Sequence, residues 1–330
     1  MKKIVLLMNK GQREKLFKQE DIDELARFGE VFCNPDEHNP SPERARELVK
    51  GADIIITSWG CPQLDKSILD EAPDACLIIH AAGSVKGIVS DEVWKRGIRV
   101  SGSAQAIGIG VAETALGFTI VSLKNLWNLS QYTREGKWSE GRDKVREVYG
   151  VTIGVIGAGR AGRHYIKLIK NFDVRILLYD PFVDEEKAAA MGAEKAELEE
   201  LLKESDVISI HAPSIPQTYH MFNAKTLAMM KDDAIIINTA RGTIIDEDAL
   251  VTELKKGRLF ACIDVTDPEP PAADHTFRSL PNVILTPHIA GTVNNGQNRI
   301  GKYAVREIRS YFNGEPMDGE VKESDLSRLA

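Results

Sequence analysis

Three residues of this 330-residue chain stand just beyond apolar runs and have types that could share one chemical task. Arg241 follows the run Ala234 to Asn238, Glu269 follows Phe260 to Asp264, and His288 follows Val283 to Leu285. When a ketone accepts a hydride its oxygen gains negative charge, and a histidine is the natural proton donor for it near neutral pH. A carboxylate bonded to that imidazole fixes the ring and favours its cationic form, so the pair titrates as a unit. A planar guanidinium grips a carboxylate bidentately and polarises the carbonyl beside it, which lysine does poorly. Together the three describe chemistry on a 2-keto or 2-hydroxy acid. Taken singly, each has a plainer reading: Arg241 as a solvated turn, Glu269 between Pro268 and Pro270 as a rigid loop acid, His288 after Pro287 as a loop histidine.

A second constellation lies upstream. The run Thr152 to Ile156 is followed at once by Gly157-Ala158-Gly159-Arg160-Ala161-Gly162, then by a helical pattern to about Lys170 and a run Val174 to Tyr179 that ends in Asp180. In a strand-turn-helix of this kind the first glycine permits the turn and the second lets backbone approach a pyrophosphate. The third lets helix and strand pack closely, while the helix N-terminus supplies N–H groups and positive dipole. Asp180 stands where a carboxylate accepts from both ribose hydroxyls of an adenosine and repels a 2′-phosphate. The residues after it, Pro181 to Glu186, bring no arginine and three more acids, so NAD is favoured over NADP. The alternative for Asp180 is a helix cap or turn carboxylate.

These residues need elements to position them. Short β-branched runs at Ile4 to Met8, Val31 to Cys33, Ile54 to Thr57, Leu77 to His80 and Ile98 to Ser101 alternate with helix-like segments such as Glu43 to Lys50. Runs so uniformly apolar are normally covered on both faces, which predicts a small parallel sheet flanked by helices. After Gly150 a second series of six runs, Thr152 to Ile156, Val174 to Tyr179, Val207 to His211, Ala234 to Asn238, Phe260 to Asp264 and Val283 to Leu285, predicts a doubly wound sheet. In such sheets the ligand crevice lies at the carboxyl ends, where Arg241, Glu269 and His288 all fall. Between the series, Ala112 to Leu126 reads as a buried connector helix and Ser130 to Val148 as a charged excursion. The segment Asn295 to Phe312 has Ile300, Tyr303, Ala304, Ile308 and Tyr311 on one helical face and is expected to pack back on the first domain.

Composition excludes several classes. With 43% hydrophobic and 28% charged residues the chain is neither disordered nor of low complexity, and a net charge of −7 without a basic stripe argues against nucleic acid. The apolar run near the start is shorter than a signal-peptide core, and the stretch Leu116 to Leu123 is too short to span a bilayer, so a cytosolic protein is expected. Cys33, Cys61, Cys76 and Cys262 are scattered singly, which suits a reducing compartment and buried small hydrophobes. No histidine is metal-spaced, the acids cluster only on charged helical faces such as Glu194 to Glu204, and no metal requirement is expected. His211 ends a strand on the cofactor side and could contact NAD. His38, His164, His220 and His275 are expected to be solvated or capping.

In these motifs and their order the chain resembles the NAD-dependent D-isomer-specific 2-hydroxyacid dehydrogenases. The resemblance runs through Val111-Ala112-Glu113, Gly157 to Gly162, His211-Ala212-Pro213 with Thr218, Asn238 to Gly242, Asp264-Val265 with Glu269-Pro270, and Thr286-Pro287-His288. It implies an α/β protein in which a doubly wound Rossmann domain, residues 104–293, is inserted in a smaller flavodoxin-like α/β substrate domain made of residues 1–103 and 294–330. It also implies a homodimer joined through the connector helix and the loop after it. By resemblance Arg241 holds the substrate and Glu269 with His288 forms a proton relay. Asp264 binds the nicotinamide carboxamide, Arg160 and Ala161 donate backbone hydrogens to pyrophosphate, and Pro213, Thr218, Thr239 and Ala240 line the rest of the cofactor. The backbone of Gly83-Ser84-Val85 holds the substrate carboxylate, and the product is the D-hydroxy acid.

The chain departs from the family mainly in that glycine loop. Many members continue as Gly-Val-Asp-Asn-Ile-Asp, whereas this chain reads Gly83-Ser84-Val85-Lys86-Gly87-Ile88. Lys86 and His80 could attract a second anionic group, or point to solvent and satisfy local backbone. Trp59 could wall the pocket or simply pack. A chain ending near Ala330 leaves out the C-terminal regulatory domain of some phosphoglycerate dehydrogenases, and control by serine is not expected. Formate oxidation, performed by related enzymes with glutamine at the position of Glu269, is argued against by the glutamate. A cofactor-sensing binding protein, like the corepressors of this architecture, is the rival from another class, and it would carry extended partner-binding segments that are not evident here.

Overall fold

In the computed structural model, which describes residues 1–329, the β-branched runs become the strands of two sheets. The chain divides into one unit of Met1–Ile107 with the residues from Thr292 onward, and a second of Gly108–Gly291. The first boundary falls inside a helix, Ala104–Leu123, rather than before it.

In the first unit β1 (Lys2–Leu6), β2 (Gly29–Cys33), β3 (Ile54–Thr57), β4 (Leu77–His80) and β5 (Arg99–Gly102) run parallel. Every residue of β3 and β4 is buried, as a sheet covered on both faces requires. The first strand begins two residues before the expected run. Lys2 and Lys3 pair with Gly29 and Glu30 through backbone groups, which any residue can supply when its side chain reaches solvent.

The second unit holds β6 (Tyr149–Ile156), β7 (Asp173–Tyr179), β8 (Glu194–Lys195), β9 (Val207–Ile210), β10 (Ala234–Asn238), β11 (Leu259–Ile263) and β12 (Val283–Leu285). Their order across the sheet is β12-β11-β10-β9-β6-β7-β8, all parallel, with the topological switch between β6 and β9. The sheet therefore has seven strands rather than the expected six. The additional β8 is a two-residue edge strand, too short for any periodicity. It also corrects the reading of Glu194 to Glu204 as one helical face, since the helix begins only at Leu198.

The connector helix Ala104–Leu123 starts eight residues before the expected Ala112. At 20 residues it is long and apolar enough by length and composition to cross a bilayer, which the shorter stretch Leu116 to Leu123 is not. Half of it is buried inside the protein, and Ala112, Ala115, Phe118 and Leu123 join Val155, Tyr165 and Ile237 in the second unit's core. The connector helix ends at Leu123 rather than Leu126, a separate helix Leu126–Arg134 runs into the segment expected to be an excursion, and that segment also holds a short turn at Arg142–Lys144, with Leu126, Trp127 and Trp138 exposed.

The chain returns to the first unit in the helix Gln297–Asn313, which buries Ile300, Tyr303, Ala304 and Ile308 in that unit's core, with Tyr311 partly buried against it. Ile300 and Ile308, fully removed from water, each contribute about 1.5–3 kcal/mol. The helix also buries Glu307, whose carboxylate accepts from Ser101 Oγ at 2.7 Å and from the Gly319 N–H at 2.8 Å. Those bonds prepare β13 (Glu320–Val321), which adds antiparallel to β5 and completes the order β13-β5-β4-β3-β1-β2.

Candidate active site

The loop after β6 is built for close backbone approach. Gly157 has φ +91° and donates its N–H to the Tyr179 carbonyl at 2.9 Å, while a Cβ on Gly162 would fall 2.0 Å from the Gly157 carbonyl oxygen. At Gly159 a Cβ would meet nothing within 4 Å. Gly159 is the N-cap of the helix Arg160–Ile169, no side chain caps that end, and Gly108 of the connector helix lets the two backbones approach, since a Cβ there would fall 3.1 Å from the Ala161 nitrogen. This is a cradle that fits a pyrophosphate.

Asp180, at the end of β7, serves the same loop. Its Oδ2 accepts from the Ala158 N–H at 2.7 Å and its Oδ1 from the Phe182 N–H at 2.8 Å. The turn-carboxylate reading is thus realised in the structure, and a carboxylate's remaining lone pairs leave room for hydroxyl donors as well. Arg160 and Ala161 lie in the helix's first turn. On the neighbouring strand His211 is buried, bonded through Nε2 to Ser209 Oγ at 2.9 Å, and its ring lies 5.1 Å from that of Tyr165. Burial pushes its pKa down to about 3, so it is a neutral packing group under the loop.

Around the rest of the crevice, Thr218 Oγ1 donates to the Pro213 carbonyl at 2.6 Å and accepts from the Ile215 N–H at 3.0 Å, which makes it a brace for its own loop. Thr239 is buried with its Oγ1 lacking a partner among the described residues. Asn238 spans the turn that follows, its Nδ2 donating to the Arg241 carbonyl and its Oδ1 accepting from the Ala240 N–H. An asparagine at a strand end is a recognisable signal for such a turn, although Asn238 was not singled out as a site residue.

Arg241, Glu269 and His288 follow β10, β11 and β12, three adjacent strands of one sheet edge. His288 Nδ1 lies 2.6 Å from Glu269 Oε1, and both side chains are nearly half exposed. The ring's Nε2 is thereby left for another partner. His288 has a left-handed φ of +51°, and its N–H bonds to the carbonyls of Asp264 and Thr286. The Asp264 carboxylate takes three further hydrogens from the same segment: Thr286 Oγ1 at 2.5 Å, the Ile289 N–H at 2.9 Å and the Ala290 N–H at 2.8 Å. In this structure Asp264 is therefore the organiser of the His288 loop. Arg241 is half-buried, with Nη1 on the Ala240 carbonyl at 2.7 Å. Its neighbour Gly242 is required, because a Cβ there would fall 2.2 Å from the Thr266 carbonyl carbon. That contact brings the arginine turn against the backbone that leads to Glu269.

The first unit presents its glycine loop beyond β4. Among the described residues no protein acceptor takes the backbone N–H of Gly83, Ser84 or Val85. The loop is held by other groups: Ser58 Oγ donates to the Ala81 carbonyl at 2.9 Å, and the Ser103 N–H bonds to the carbonyls of His80 and Ala82. His80 does not attract an anion. It is buried, its Nδ1 lies 2.9 Å from Thr57 Oγ1, and burial lowers its pKa to about 4, so it is neutral near neutral pH. Lys86 Nζ donates to the Leu329 carbonyl at 2.6 Å. Trp59 is 42% exposed and so is not a core tryptophan. Of the remaining histidines, His38 is exposed, His220 stacks on Tyr219 at 4.0 Å, and His275 caps the turn Thr276–Arg278. Among the described residues no group of three or more His, Cys, Asp or Glu is arranged to hold a metal ion.

Residues 116–290 match the family model of the D-isomer specific 2-hydroxyacid dehydrogenase NAD binding domain. The chain is 34% identical over 281 residues to a D-3-phosphoglycerate dehydrogenase of Methanocaldococcus jannaschii, covering 84% of this chain but 53% of that protein. It thus spans about half that relative's length. It is 32% identical over 285 residues to a glyoxylate reductase of Korarchaeum cryptofilum, covering 85% of this chain and 86% of the relative. Among solved structures, a phosphoglycerate oxidoreductase of Rhizobium etli shares the fold with a TM-score of 0.84 at 24% identity, covering 98% of this chain and 99% of that one.

Proposed function

Since the chain belongs to the D-isomer specific 2-hydroxyacid dehydrogenase family and carries its NAD binding domain, we propose that it reduces a small 2-keto acid to the D-2-hydroxy acid with NADH, and runs the reverse reaction with NAD. The observation that carries this reading is the 2.6 Å contact between His288 and Glu269 at the carboxyl edge of the Rossmann sheet.

Bound NADH supplies the hydride that reaches the substrate's carbonyl carbon. His288 donates the proton to the carbonyl oxygen through Nε2, because Glu269 holds the ring at Nδ1 and fixes which nitrogen faces substrate. Glu269 also offsets the charge of the imidazolium that precedes proton transfer and reforms in the reverse direction. Arg241 binds the substrate carboxylate and polarises the neighbouring carbonyl. The backbone N–H groups of Gly83, Ser84 and Val85 supply further donors to that carboxylate. The N-terminus of the helix Arg160–Ile169 would hold the pyrophosphate, and Asp180 would accept from the ribose hydroxyls. Asp180, with Asp184, Glu185 and Glu186 just beyond it, disfavours a 2′-phosphate and so selects NADH over NADPH.

The relatives named glyoxylate reductase, hydroxypyruvate reductase and D-3-phosphoglycerate dehydrogenase put glyoxylate, hydroxypyruvate and phosphorylated keto acids first among the substrates to try. The exposed Leu126, Trp127, Trp138 and Tyr149, which follow the connector helix, support a homodimer through that segment, and light scattering checks it. Four unpaired cysteines suit a cytosolic protein.

The deciding experiment is NADH oxidation at neutral pH against glyoxylate, hydroxypyruvate, pyruvate and a phosphorylated keto acid, with Arg241→Ala beside the native protein. Turnover that the substitution abolishes is expected. Tight NADH binding with no turnover on any acid would transfer the assignment to a cofactor-sensing role.

A further inference from the structure

A second carboxylate–imidazole pair, Glu247 with His275, lies outside the chemistry described above. Glu247 opens the helix Glu247–Lys255, next to its N-cap Asp246. Its Oε1 accepts from the Asp267 N–H at 2.9 Å, and its Oε2 lies 3.0 Å from His275 Nε2. The other ring nitrogen, Nδ1, accepts from the Phe277 N–H at 3.3 Å, so the ring hydrogen belongs on Nε2, where Glu247 receives it. Both side chains are largely buried, at 13% and 20% exposure. Burial holds the Glu247 carboxyl above its usual range, against the opposing pull of the Asp267 N–H and of His275.

One carboxylate therefore takes a hydrogen from each end of the segment Asp267–His275, and Glu269 sits inside that segment. Further bonds stiffen it: Arg278 donates to the carbonyls of Ala272 and Pro271, and Thr266 Oγ1 donates to the Pro268 carbonyl. The Glu269 side chain is itself 42% exposed and bonds to His288. Its position depends on where the loop backbone is held.

We infer that Glu247 and His275 are positioning residues, which fasten both ends of the loop bearing Glu269 and so keep its carboxylate within hydrogen-bond reach of His288. The inference rests on the relay reading of Glu269 and His288. A misplacement of about 1 Å in a group that orients the proton donor is worth up to about 100-fold in rate. Neither residue touches substrate or cofactor in this reading, and both act through Glu269.

A double-mutant cycle tests it. Native protein, His275→Ala, Glu269→Gln and the double variant are compared for kcat, for the pH profile of kcat/KM and for the Kd of NADH. His275→Ala should lower kcat about tenfold in the native background and leave it unchanged in the Glu269→Gln background. It should move the pH profile in the same direction as Glu269→Gln, with the Kd of NADH unaltered. His275→Gln keeps a side-chain N–H for Glu247 and should recover most of the loss. Equal losses in both backgrounds, or an unmoved pH profile, would overturn the inference while leaving the relay intact. If Glu269→Gln by itself changes neither kcat nor the profile, the relay reading fails instead.

Discussion

The two units repeat one architecture and arm its active edge in opposite ways. In the second unit the carboxyl edge carries polar side chains, each steadied by neighbouring backbone: Arg241 by the Ala240 carbonyl, Asp180 by two N–H groups, His288 by the Asp264 segment. In the first unit the titratable group at the carboxyl edge, His80, is buried and neutral, and the loop beyond it has backbone N–H groups that no described protein acceptor takes. A parallel sheet collects loops at its carboxyl edge whatever its function, so the fold supplies the place and the loop residues supply the task. One edge is suited to moving charge and the other to holding an anion.

The largest test of that contrast removes the acid. His288→Ala should lower kcat by about 10²–10⁴-fold while the Kd of NADH stays within about twofold, as stopped-flow kinetics and fluorescence titration would show. Parallel loss of NADH binding would mean that the residue only shapes the loop. Next, Asp180→Ala should narrow the preference for NADH over NADPH by about tenfold or more, read from kcat/KM with each. Because Asp180 also accepts from Ala158 and Phe182, some weakening of both cofactors is expected, and an unchanged ratio would defeat its role in selection.

On the first unit's side, Ser84→Pro deletes one loop N–H and should raise KM for the keto acid about tenfold with NADH binding untouched. No change in KM would leave the substrate carboxylate to Arg241 alone. The remaining prediction concerns stability. Well above pH 6.5 neither His80 nor His211 is protonated in the folded or the unfolded chain. As pH falls below 6.5 the unfolded chain binds protons there, while the folded chain does not until about pH 4 at His80 and about pH 3 at His211. Stability should therefore fall with pH through this window, by at most about 1.4 kcal/mol per pH unit for each ring. Thermal melts from pH 7 to pH 4 should show the slope, and His80→Asn should reduce it.

Much of this was legible in the residue order. The runs at Ile54 to Thr57, Leu77 to His80 and Ala234 to Asn238 coincide with strands to the residue, since apolar runs buried on both faces have sharp ends, and the half-buried edge strand Val283 to Leu285 coincides as well. Strand β8 and strand β13 were not legible, being two residues each and held by pairing with a neighbour rather than by a pattern of their own. The start of the connector helix was missed by eight residues because Gly108 and Gly110 interrupt its pattern, although both lie inside the helix.

The same division runs through the site. Residue type and strand-end position alone picked out Arg241, Glu269 and His288, because the chemistry needs those side chains and a parallel sheet presents them at one edge. The glycine spacing likewise specified the tight turn after β6, because only a missing Cβ lets Gly162 pack against the Gly157 carbonyl. Tertiary structure decided that Asp264 organises the His288 loop, that His80 is neutral, and that Glu247 and His275 fasten the loop of Glu269. Those roles depend on burial and on hydrogen bonds between residues about 20 or more apart in the chain, which only the packed fold brings within 3 Å.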